Sequence, residues 1–245
     1  MSDQPGTVEQ VLARAKRLWA ELAGVPAAFP EALGRSTIVV APESGLCPQG
    51  WVGVVVLGGV ALLTAPNEAV AVQLRQAVVE LPAAALADPA VFEVALHPVE
   101  VLGPATLGYL VADEFRAGPA GAVVELAPDD PAVRLLMDGC DPTDVDESGL
   151  AGVTSPVFAV AGAGARVLAA AGYRTWPGGA AHLSVLTGPA HRSRGLARQA
   201  ASAAVAHALA AGLLPQWRAR AAEARQLARA LGFRELGAQL GLRLP

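Results

Sequence analysis

Leu183-Ser184-Val185-Leu186-Thr187-Gly188-Pro189-Ala190-His191-Arg192-Ser193-Arg194-Gly195-Leu196-Ala197 is the stretch from which the fold is read. Residues 183–187 make a short strand candidate. Pro189 has no N–H to give a ladder and ends the pairing. A loop with Arg192, Arg194 and Gly195 follows, and then an alanine-rich run to Ala211 without an internal breaker. That run predicts a helix, which Gly212 stops. A helix start leaves its first N–H groups unpaired and carries partial positive charge. Gly195 lets backbone come close to a ligand, and small Ala197 keeps the next turn uncrowded. With two arginines beside those amides, the loop suits a pyrophosphate. Taken alone, the same residues also read as solvated charges around a simple turn.

The 245 residues suffice for one large domain or two modest ones with a real core. Hydrophobic residues make up 53% and charged ones 16%, which speaks against disorder. A net charge of −4 excludes a nucleic-acid partner held by bulk charge. The arginines gather after residue 190, so a local basic site is compatible with that balance. Cys47 and Cys140 lie far apart without CxxC spacing, which argues against zinc and against a disulfide framework. No metal site is expected. Met1-Ser2-Asp3-Gln4-Pro5 lacks the basic start and apolar run of a signal peptide. The most apolar stretch, 51–64, holds Gly53, Gly58 and Gly59 and is too short to span a membrane. A cytoplasmic protein with no membrane or nucleic-acid partner is expected.

Apolar residues at helical spacing predict a helix over 8–22. Strands are expected at 37–40, 51–57 and 60–64, the last two joined at Gly58-Gly59. A helix over 67–81 starts at Asn67 as N-cap. Prolines 82, 89 and 98 break the stretch 82–101, which stays unassigned. Breakers cluster at Gly118-Pro119-Ala120-Gly121 and suggest a boundary, with one domain over 1–118 and another over 119–245. In the second half, strands are read at 122–126, 157–160, 167–173, 183–187, 213–219 and 233–244. Helices are read from Asp129 or Asp130 to 138, over 195–211 and over 222–231. Leu62-Leu63-Thr64-Ala65-Pro66 before a helix echoes Val185-Leu186-Thr187-Gly188-Pro189 before a helix. This suggests that the first half is a degenerate copy that lacks the Gly-Arg loop.

His191-Arg192-Ser193-Arg194-Gly195-Leu196-Ala197 resembles the acyl-CoA loop of the GNAT N-acetyltransferase superfamily, [Q/R]-x-x-G-x-[G/A]. It follows a strand and precedes a long helix, as that pattern requires. Leu227-Ala228-Arg229-Ala230-Leu231-Gly232-Phe233 resembles the family's second helix with its Leu-Gly-Phe ending, and the resemblance covers roughly the last 125 residues. It implies an α/β (α+β) fold with a mixed, mostly antiparallel sheet flanked by helices, acetyl-CoA as cofactor, and acetyl transfer to an amine of a small molecule or peptide. It also implies roles. Backbone of Val185, Leu186 and Thr187 would pair with the pantetheine arm. Amides of Ser193 to Ala197 (Ser193, Arg194, Gly195, Leu196 and Ala197) would hold the pyrophosphate, with Arg192 or Arg194 meeting its charge.

The usual catalytic pair departs from the pattern. The family's general-base glutamate falls at Ala181 and its general-acid tyrosine at Ala228. The asparagine and serine often found ahead of the tyrosine fall at Ala221 and Ala224. His182 and Glu147 are the substitute candidates, since His182 titrates near neutrality and Glu147 suits a cationic acceptor. Tyr173 and Trp217 are candidates for lining the substrate side. A second reading is a GNAT-like protein that binds acyl-CoA without catalysis. Gly162-Ala163-Gly164 looks like the start of a dinucleotide fingerprint, but it lacks the third small residue and the downstream acid. It reads as a hairpin turn.

Overall fold

The structure is a computed structural model and describes residues 6–119 and 121–245. The reading of residues 1–5 as free of a leader lies outside the described residues. Helix α1 spans Val8–Leu22 and starts with a capping box. Thr7 Oγ1 accepts from the Gln10 N–H at 3.2 Å, and Gln10 Oε1 accepts from the Thr7 N–H at 3.0 Å. Its buried stripe is Val11, Ala15, Leu18 and Trp19. Strand β1 is Ser36–Val40, β2 Val52–Leu57 and β3 Val60–Ala65. Gly58 and Gly59 have φ of 56° and 81°, the left-handed pair that a tight hairpin turn needs. Helix α2, Glu68–Val78, is capped by Asn67 Oδ1, which accepts from the Val70 N–H at 3.0 Å.

The stretch that the sequence leaves unassigned holds α3, Ala90–Leu96, and β4, Glu100–Tyr109. Neither carries a clean period. Helix α3 has seven residues, and β4 contains Gly103 and Pro104 with burial concentrated toward its end. Strand β5 is Val124–Leu126, α4 Pro131–Asp138, α5 Pro142–Ser148, β6 Val157–Ala161 and β7 Val167–Trp176. Then come β8, Ala180–Thr187, α6, Leu196–Ala210, β9, Leu214–Ala219, α7, Ala222–Ala230, and β10, Arg234–Arg243.

Two compact units result. One holds Thr7–Tyr109 with Arg218–Ala222 and Glu235–Pro245; the other holds Leu110–Trp217 with Glu223–Arg234. The chain thus returns its last strand to the first unit. The glycines read as a boundary, Gly118 and Gly121, lie against α6. A Cβ on Gly118 would stand 2.7 Å from the Arg198 carbonyl oxygen, and one on Gly121 1.7 Å from Gln199 Nε2. The Gly118 N–H donates to Ser202 Oγ at 2.8 Å.

In the first unit the strand order is β1-β3-β2-β10-β4. Strand β2 is buried along its whole length because both of its faces are covered. Val52, Val54 and Val56 pack with Ala71, Leu74, Val78 and Phe92 of α2 and α3. The opposite face meets α1, where a Cβ on Gly58 would strike the Leu12 side chain at 2.4 Å. Trp19 Nε1–H donates to Tyr109 Oη at 2.6 Å, which satisfies the buried indole. Strand β3 is parallel to β1 over five positions, Ser36–Val40 against Ala61–Ala65. Its parallel neighbour precedes it in the chain. That differs from β8, whose parallel neighbour β9 follows it.

The second unit orders its strands β9-β8-β7-β6-β5. Strands β5 to β8 are antiparallel, and β8 with β9 is parallel. The sheet is mixed, mostly antiparallel and flanked by helices. On one face, Val133 and Leu136 of α4 pack with Leu150, Ala159, Ala170 and Leu186. On the other, α6 lays down Ala200, Ala201, Ala204, Val205 and Ala208, all fully buried. Alanine at four-residue steps lets this helix sit close to the strands.

Both cysteines are free. Burial pushes the Cys47 thiol up to about 11, more than the nearby Thr64 hydroxyl lowers it. Burial also raises Cys140. At pH 8 about one Cys47 in a thousand is then thiolate, so native protein is expected to leave Cys47 unmodified by iodoacetamide. Rapid labelling of Cys47 in mass spectra of folded protein would contradict its burial.

Candidate functional site

The site is built where β8 parts from β9. Their parallel pairing runs through Ala180↔Leu214, Ala181↔Pro215 and His182↔Gln216 and then stops. Strand β8 continues to Thr187, still paired with β7 as far as Ala169↔Thr187. From Leu183 to Thr187, β8 therefore has a ladder on one edge only. Its other edge presents the alternating N–H and C=O groups of a strand without a strand beside it. Val185, Leu186 and Thr187, to which the resemblance gives the pantetheine-pairing role, lie on this segment. Thr187 Oγ1 is buried without a hydrogen-bond partner, a polar atom left over at the end of that edge.

The loop after β8 turns through Ser193 at φ 59° and Gly195 at φ 77°. Gly195 is the N-cap of α6 and has no side chain to cap it. The first-turn amides are therefore not satisfied by a side-chain oxygen. A Cβ built on Gly195 meets nothing within 4 Å, so there is open space beside these amides. Arg192, Ser193, Arg194 and Gly195 are exposed, and Leu196 and Ala197 are half-buried. Loop, open space, helix start and leftover Thr187 hydroxyl together fit a diphosphate joined to an extended arm.

The two arginines have different duties. Arg192 Nη2 donates to Asp144 of α5 at 2.6 Å, and that hydrogen bond raises its pKa. Arg194 Nη1 donates to His191 Nδ1 at 3.2 Å within the loop itself. Arg194 is thus the guanidinium that the loop holds at the helix start, while Arg192 ties the loop to α5.

Facing pairs along the strands sort the remaining candidates. Arg174↔His182 and Tyr173↔Leu183 are opposite each other, so Tyr173 and His182 point to opposite faces. Tyr173 is 4% exposed and sits on the α6 side, where its hydroxyl is 2.9 Å from His207 Nδ1. Burial raises the phenol's pKa. Trp217 is 6% exposed and meets Phe233 edge-on, with ring centroids 5.4 Å apart. Both aromatics pack in the interior. His182 lies on the face where α5 ends, since a Cβ on Gly149 would stand 3.2 Å from Ser184 Oγ. The indole of Trp176 stacks on the His182 ring, centroids 4.1 Å apart at 17°. His182 Nδ1 is 2.5 Å from Gln216 Oε1. Glu147 is exposed on α5, together with Asp146.

Gln216 enters the site only through the fold. Its register opposite His182 depends on a parallel pairing between strands separated by a whole helix, which no local pattern reports. Ala181 and Ala228, where the resemblance puts the usual base and acid, are both buried alanines. Among the described residues there is no group of three or more His, Cys, Asp or Glu that would hold a metal ion. Among them also, no helix is long and apolar enough to cross a membrane.

A solved protein assigned to the GNAT-family acetyltransferases, from Novosphingobium aromaticivorans DSM 12444, is similar at 24% identity and a TM-score of 0.45, over 60% of this chain and 67% of that one. A GNAT-family acetyltransferase from Colwellia psychrerythraea is similar at 14% identity and a TM-score of 0.46, over 60% of this chain and 58% of its own length. A GCN5-related N-acetyltransferase-like protein from Streptococcus suis 89/1591 aligns over 97% of this chain and all of its own, at 13% identity and a TM-score of 0.45. No curated protein matches the sequence. The family model of the GNAT acetyltransferases matches residues 159–238, the run that contains β8, the loop and α6.

Proposed function

We propose that this protein transfers an acetyl group from acetyl-CoA to an amine of a small-molecule or peptide acceptor. The observation that carries the reading is the parting of β8 from β9 after His182, next to a helix start with open space at Gly195. Val185, Leu186 and Thr187 would hold the pantetheine arm by backbone pairing. The amides of Ser193 to Ala197 and the guanidinium of Arg194 would hold the diphosphate. Acetyl-CoA, when bound, supplies an activated acyl thioester.

The chain's own part is to orient that thioester, admit a neutral amine and take up one proton. The amine nitrogen bonds to the thioester carbonyl carbon, the C–S bond breaks, and its electron pair leaves with sulfur. His182 takes the proton that the nitrogen loses. Positioning supplies much of the rate in such a reaction, so one base suffices. Glu147, on the helix that packs toward β8, would draw a cationic acceptor.

The second reading is acyl-CoA binding without transfer, and the methyl groups at Ala181 and Ala228 favour it. Calorimetric titration with acetyl-CoA and separately with NAD, followed by turnover assays on a panel of amines, separates the two. Transfer predicts acetyl-CoA binding, no NAD heat and release of free thiol with some amine. His182→Ala is then expected to lower kcat about 10²-fold at unchanged acetyl-CoA affinity. Equal kcat in that variant would remove His182 from the reaction.

A further inference from the structure

We propose that Gln216 is a positioning residue that holds His182 with its proton on Nδ1, so that Nε2 is the ring atom that accepts the proton from the acceptor amine. The inference rests on the acyl-transfer reading above and adds to it the atom that acts and the residue that selects it.

The two residues face each other at the last paired position before the strands part, His182↔Gln216. Gln216 is 0% exposed. Its Oε1 is 2.5 Å from His182 Nδ1. An amide oxygen only accepts, so Nδ1 must donate. A neutral imidazole protonated on Nδ1 carries its lone pair on Nε2. The ring is held in a second way, by the Trp176 indole stacked 4.1 Å from it. Rotation about the ring axis is thereby restricted as well as the tautomer.

The other end of the amide strengthens the case. Gln216 Nε2 is buried and has no hydrogen-bond partner. A leucine would fill the same space without stranding a donor, and a buried unsatisfied amide is costly. Since the N–H₂ end gains nothing here, the Oε1 contact with His182 is what the side chain supplies. When the amine attacks, its proton passes to Nε2 and the ring becomes a cation. Nδ1–H then donates more strongly to Oε1, so the same contact that selects the tautomer also stabilises the protonated ring.

The test reads the tautomer directly. Uniformly ¹⁵N-labelled protein is measured by long-range ¹H–¹⁵N correlation of the imidazoles, with His182→Gln used to assign the signals. The wild type is expected to show a protonated-type Nδ1 and an unprotonated-type Nε2 for His182. Gln216→Leu is expected to move both toward tautomer-averaged shifts and to lower kcat about tenfold with the acetyl-CoA KM unchanged. Gln216→Glu, which keeps an oxygen acceptor, is expected to restore the Nδ1–H tautomer. A wild-type ring protonated on Nε2, or an unchanged tautomer in Gln216→Leu, overturns the proposal without needing any variant to be active. The two layers separate cleanly. Turnover with an unchanged tautomer overturns the role of Gln216, and a changed tautomer in a protein that turns over no amine overturns the transfer reading.

Discussion

Gly195→Glu is expected to abolish acetyl-CoA binding, weakening it on the order of 10³-fold, which corresponds to about 4 kcal/mol. The position combines two properties. Its φ of 77° lies in the left-handed region, where a side chain costs roughly 1 kcal/mol. The space beside its Cβ is open, so a side chain would project into the region proposed for the diphosphate. A carboxylate there replaces attraction by repulsion at the positive end of α6. Gly195→Ala separates the two effects. It carries the backbone cost but meets no atom within 4 Å, so a loss of tenfold or less is expected. Calorimetric titration of both variants, with circular dichroism to confirm the fold, checks this. Unchanged acetyl-CoA binding by Gly195→Glu would place the phosphates elsewhere.

Gly232→Ala is expected to destabilise the protein by about 4 kcal/mol, on the order of 10 °C in Tm. Gly232 ends α7 within the Leu231-Gly232-Phe233 sequence and has φ of 99°. An added Cβ would stand 2.0 Å from the Glu114 carbonyl oxygen and 3.0 Å from its carbon. Those are backbone atoms, and they cannot swing aside as a side chain would. The segment is held on both sides of the clash. The Arg116 N–H donates to the Leu231 carbonyl at 3.0 Å, and Arg234 pairs with the Glu114 carboxylate. Left-handed backbone costs about 1–3 kcal/mol for a side-chain-bearing residue, and forced overpacking adds a similar amount. Differential scanning calorimetry against wild type reads the result. A Tm within 2 °C of wild type would mean that residues 114–116 are not packed on this turn. The Arg234–Glu114 pair itself is exposed and contributes little to either number.

The sequence legible without coordinates was the sequence whose signals are local. Asn67 and Asp130 each accept a backbone N–H at the helix start that their residue types suggest. Gly58-Gly59 turns a hairpin, and Gly212 ends the alanine-rich helix at φ 70°. The turn into α6 at 192–197 could be read because a helix start is made from consecutive backbone amides, and consecutive residues are what a sequence records. Strand β4 escaped because its face is chosen by partners far along the chain, and Gly103-Pro104 interrupt its alternation. Glycines 118 and 121 read as punctuation because their real reason, contact with α6, lies some eighty residues away.

By itself, then, the sequence determined the order of elements in the second half and the glycine that opens α6 with two arginines beside it. Tertiary structure alone decided three things. It set β8 against β9 for only three positions, which leaves an open strand edge beside the loop. It turned Tyr173 into the interior against His207 and His182 to the other face. It also brought Gln216 to His182 across thirty-four residues. The physical reason is common to all three. Side-chain alternation says that two neighbours on a strand face opposite ways, but which face becomes core and which becomes site is set by the helices that cover them.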